Sequence, residues 1–77
     1  MFDDIDDFMN AVSIELLNYL GLTEEESRRI KTQARQFFNF YKNQLIPGTK
    51  YSLEFGETRQ EFMHGLILNI KNILGID

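Results

Sequence analysis

No cysteine occurs in the 77 residues, which excludes a disulfide framework and a thiolate metal site together. Tryptophan is absent as well, and proline and histidine occur once each, as Pro47 and His64. Long apolar runs are missing too. The longest, Leu66-Ile67-Leu68, is far short of the ~20 residues a membrane-spanning helix needs. Met1 leads into Asp3, Asp4, Asp6 and Asp7, the opposite of the basic start of a secretory signal. A soluble cytoplasmic protein is the expectation. The five glycines are isolated singles, so no glycine-rich loop is present to cradle a phosphate.

What is present is ordinary for a folded chain: 43% hydrophobic and 26% charged residues. The length allows one domain, residues 1–77, with a thin core. The net charge of −4 hides a segregation. Residues 1–27 hold eight acids and no base, and residues 28–50 hold six bases and no acid. Residues 51–77 add four acids and two bases.

Apolar residues at three- and four-residue steps predict a first helix from about Asp4 to Leu20, with Ile5, Phe8, Met9, Val12, Leu16, Tyr19 and Leu20 on its buried face. Asp3 or Asp4 suits its N-cap, and Gly21 its left-handed close. Thr23 and Glu26 form a capping box for a second helix running to about Leu45. Its apolar face is Ile30, Ala34, Phe37, Phe38, Tyr41 and Leu45. Glu24 with Arg28 and Glu25 with Arg29 are spaced for ion pairs one turn apart. Pro47-Gly48 then has the residue order of a type II turn. Lys50 to Phe55 alternates polar and apolar like a strand, with no second strand-like run to pair it. Thr58 and Glu61 form another capping box, opening a third helix with Phe62, Met63, Leu66, Ile67, Ile70, Ile73 and Leu74 inward and Gly75 closing it. The expected fold is all-α: an antiparallel helical hairpin plus a third helix, with a short extended segment at about 50–55.

Catalytic and metal constellations are weak. Asp3, Asp4, Asp6 and Asp7 lack the glycine and terminal glutamate spacing of a calcium loop. Glu61-x-x-His64 matches half of a di-iron ligand motif, with Glu15 a conceivable addition, but both residues lie opposite the apolar face and are expected to point to water. With one histidine and no cysteine, Ser13, Ser27 and Ser52 have no activating base in their local sequence. No enzyme activity, cofactor or metal is expected.

Surfaces carry more. Ile14 and Leu17, Phe40, and Leu68 fall off the apolar faces of the three helices. With Tyr51, Leu53 and Phe55 of the alternating segment, they are the candidate interface for a partner or for a second copy. Arg28, Lys31, Arg35 and Lys42 share an arc of the second helix, a charged face suited to an acidic protein surface or to phosphates. The function expected is a small non-enzymatic regulatory protein, an adaptor or inhibitor, that acts by surface contact with another protein and pairs as a homodimer. The alternative is nucleic-acid binding through the basic face.

Overall fold

The computed structural model describes residues 2–44 and 58–76, with the backbone alone at 41–44. The expected extended segment, with Tyr51, Leu53 and Phe55, and the Pro47-Gly48 turn lie outside the described residues, as do the side chains of Tyr41 and Lys42. Three helices are present: α1 (Ile5–Leu16), α2 (Glu24–Gln44) and α3 (Arg59–Leu74). They pack pairwise into an all-α bundle, and no strand occurs among the described residues.

The caps fall where short-range chemistry places them. The Asp4 carboxylate accepts from the Asp7 backbone N–H at 2.8 Å, satisfying an amide that the helix leaves without a partner. Thr23 and Glu26 close a full reciprocal box: Glu26 N–H donates to Thr23 Oγ1 at 3.0 Å and Thr23 N–H to Glu26 Oε1 at 2.9 Å. At α3, Glu61 N–H donates to Thr58 Oγ1 at 3.0 Å, while the hydroxyl donates to Glu61 Oε1 at 3.1 Å. Gly75 ends α3 in the left-handed region at φ +71°. Ile76 N–H then bonds Lys71 O, and Gly75 N–H bonds Asn72 O, the pair of hydrogen bonds that folds a following apolar residue back on its helix.

The aromatic contacts fix the chain directions. Phe8, near the start of α1, lies 4.8 Å from Phe38 and 6.5 Å from Phe37 between ring centroids, toward the end of α2. Phe37 in turn lies 6.1 Å from Phe62, in the first turn of α3. So α2 runs antiparallel to α1 and α3, which are parallel to one another. Phe2 closes this end, 5.1 Å edge-on to Phe8. The core continues through Val12, Leu16, Ile30, Ala34, Met63, Leu66, Ile67 and Ile70, all buried.

Two expectations about helix ends need correction. The first helix stops at Leu16 rather than Leu20. The N–H groups of Leu17, Asn18 and Tyr19 bond to oxygens three residues back, and the tighter turn takes the chain off the helical phase. Tyr19 swings toward α3, while Leu20, expected on the buried face, is 96% exposed. Ile73, assigned to the inner face of α3, is also exposed. That end is covered instead by Leu74 and by Ile76, folded back past Gly75 and packed on the core.

Charge pairing differs as well. Neither Glu24 with Arg28 nor Glu25 with Arg29 closes to ion-pair distance; the ion pairs among the described residues join α1 to α3. Exposed pairs on one helix gain too little to outweigh the freedom of two long side chains.

Arg59 Nη2 lies 2.6 Å from Asp7 Oδ1, and its guanidinium carbon lies 4.6 Å from the centre of the Phe2 ring. The Arg59 hydrogen bond, followed by that from the Asp3 backbone N–H, holds the Asp7 carboxyl below its ordinary value of 3.8. A carboxyl more acidic when folded than when unfolded adds stability above the unfolded value, and loses it as pH falls through the folded one. Asp7→Asn should therefore lower the thermal midpoint at neutral pH, with the gap to wild type closing below about pH 3.8. A gap that stays constant down to pH 2 would contradict this assignment.

Candidate functional site

Two regions outside the core bring chemically active or accessible side chains together. The first is a polar cluster where α1 meets α3. Glu15 occupies a core-phase position, seven residues after Phe8 and three after Val12, and is buried at 5% exposure. Its Oε2 lies 3.2 Å from His64 Nδ1, and its Oε1 accepts from Asn18 Nδ2 at 3.4 Å. A carboxylate only accepts, so the tautomer with the proton on Nδ1 is the one that satisfies Glu15. The Tyr19 hydroxyl lies 3.2 Å from the same ring nitrogen. Partial burial, then the Glu15 charge and its hydrogen bond, push the Tyr19 phenol above its ordinary value. Lys71 Nζ caps the far side, 4.8 Å from the centre of the tyrosine ring. Among the described residues no buried side-chain nitrogen or oxygen lacks a hydrogen-bond partner.

His64 is exposed, as expected, but it has a partner that the expectation did not include. The imidazole is largely exposed, yet its Nδ1 turns inward to serve Glu15. Only the parallel register of α1 and α3 brings the two together. Glu61 stays exposed and is engaged with Thr58. Among the described residues no three acidic or imidazole side chains gather as a metal-ligand set. The cluster has the chemistry of a polar fastening: it ties the turn after α1 to the middle of α3.

The second region is a groove between the end of α1 and the start of α2. Leu16, Leu17, Tyr19 and Leu22 line it on one side, with Thr23, Glu24, Ser27, Arg28 and Lys31 on the other. Leu17 is 77% exposed. Arg28, Lys31 and Arg35 are all exposed, and no carboxylate among the described residues lies within ion-pair distance of them. The antiparallel hairpin sets Arg28 and Lys31 beside Leu16 and Leu17 at the end of α1.

The other candidate interface residues do not form one patch. Ile14 is exposed beside a separate groove lined by Ala11, Glu15, Arg59 and Met63. Phe40 lies on α2 and Leu68 on α3, both exposed. Leu20 and Ile73 join this accessible set, having been placed in the core by periodicity alone.

No protein-family model, no curated protein and no solved structure matches this chain. No helix among the described residues is long and apolar enough to cross a membrane.

Proposed function

We propose that the protein is a small non-enzymatic regulator, an adaptor or inhibitor, that works by surface contact with another protein and self-associates. The observation that supports this reading is the number of large apolar side chains the bundle leaves in water: Ile14, Leu17, Leu20, Phe40, Leu68 and Ile73. A core this small gains from burying such residues in an assembly. The titratable cluster around Glu15 suits a structural role, since its members are already engaged with one another.

Light scattering over a concentration series, in low and high salt, tests the self-association. A mass near twice the chain's 9.1 kDa that persists at high salt is expected, falling to the monomer value on Leu68→Ser or Ile14→Ser. A monomer at every concentration would remove self-association.

The second reading, nucleic-acid binding, has one observation in its favour: the exposed row Arg28, Lys31 and Arg35 without carboxylate partners. It requires a mobility shift at about 50 mM salt that weakens steeply as salt rises. The exposed acids Asp3, Asp4, Asp6, Glu24 and Glu25 oppose it.

A further inference from the structure

We infer that the groove between α1 and α2 is the docking site for an acidic amphipathic helix of a partner protein. This rests on the reading of the chain as a protein-binding regulator, and it names the face and the chemistry of the partner.

The argument starts from spacing. Arg28, Lys31 and Arg35 follow one another at steps of three and four residues on a continuous helix. That periodicity keeps them on one side of α2 over about 10 Å. Carboxylates at the same steps on a helix lying along α2 meet the row charge for charge. A flexible chain would have to be ordered to do so, whereas a helix presents the spacing ready-made. The row is uncompensated within the described fold, because the ion pairs found there join α1 to α3.

Apolar contact is supplied at one end only. Leu17 stands exposed at the mouth of the groove, with Leu16, Tyr19 and Leu22 behind it. Glu24 lines the same end and places a negative charge there. Arg28 and Lys31 line the groove beside Leu17 and Arg35 follows one turn further along α2, so the cations run away from Glu24. The docked helix therefore has a polarity: leucines over Leu17 and Leu22, acids running along the cations and away from Glu24. A phosphate backbone has no such division between an apolar end and an acidic one, which favours the peptide over a nucleic acid.

The test is fluorescence anisotropy with a labelled, end-capped peptide of roughly 18 residues, alanine-based so that it forms a helix. It carries two leucines one turn apart near one end, and three glutamates at steps of three and four toward the other. Saturable binding with a dissociation constant on the order of 10–100 µM at about 50 mM salt is expected. Leu17→Ser, Lys31→Glu and Arg35→Glu should each weaken it roughly fivefold or more. Arg29→Glu carries the same charge change on the same helix but lies off the row, and should leave binding within about twofold. All these positions are exposed, so the variants keep the fold, which circular dichroism verifies.

Three results would overturn the inference. One is equal binding of a probe with serine in place of both leucines. Another is equal or tighter binding of an oligothymidine of matched charge. The third is no binding at protein concentrations near 1 mM, far above the expected range. Self-association is read separately by mass, so a monomer that binds the peptide refutes only the dimer. A dimer that ignores the peptide refutes only this site.

Discussion

Replacing Phe8 with alanine should cost about 3–5 kcal/mol of folding stability. Phe8 is fully buried and makes ring contacts with Phe2 of its own N-terminal segment and with Phe37 and Phe38 of α2. Truncation removes its transfer free energy and leaves a void that neighbours on two segments cannot both collapse into. A domain of this length has a total stability on the order of 4–12 kcal/mol, so one such cavity takes about a quarter of it or more. Leu17→Ser makes the informative contrast. Leu17 is 77% exposed, and its loss should change folding stability by no more than about 0.5 kcal/mol. Urea denaturation followed by circular dichroism measures both. A loss below about 1 kcal/mol for Phe8→Ala would mean that the aromatic end of the bundle is not the core described above.

His64→Ala should cost about 1–2 kcal/mol, although the imidazole is mostly in water. The cost arises at the partner. Glu15 is buried, and without Nδ1–H it keeps only the longer bond from Asn18 and the contact with the Tyr19 hydroxyl. An under-satisfied buried carboxylate bears most of its desolvation penalty. Glu15→Leu, by contrast, removes the charge and fills the same core-phase position, and is expected to be neutral or stabilising. In the Glu15→Leu background the cost of His64→Ala should vanish. A cycle in which His64→Ala costs the same in both backgrounds would show that the histidine acts independently of Glu15.

Glu15 also illustrates what periodicity leaves open. Positions 8, 12 and 15 share a face of α1 at ordinary helical spacing, so a charged residue at 15 sits in phase with two core residues. That was a legible signal for burial. The identity of the partner was not legible, because His64 is 49 residues away along the chain and comes into reach only through the relative register of two helices. Arg59 and Asp7 repeat the pattern across 52 residues. Acids gather in residues 1–27 and bases in residues 28–50, yet these contacts join α1 to α3. Side-chain geometry at a helix interface decides such pairs, and total charge does not.

Local chemistry settled the helices themselves. Asp4, Thr23 and Thr58 each accept the backbone N–H of a residue within three positions, and Gly75 closes α3 at positive φ; Gly21, expected to close α1, instead lies in the turn beyond its Leu17 cap. Short-range interactions such as these caps are written in the order of residues. The same holds for the apolar stripes that make a three-helix bundle the economical way to bury them. What tertiary structure alone decided lies at the ends and between the helices. Turning the chain after Leu16 put Leu20 in water, and folding Ile76 back past Gly75 took the place expected for Ile73. Laying α2 antiparallel to α1 set Leu17 beside Arg28 and Lys31. Periodicity determines which face of a helix is apolar. The packing of the other helices determines which part of that face is covered, where a chain end folds back, and which distant side chains meet.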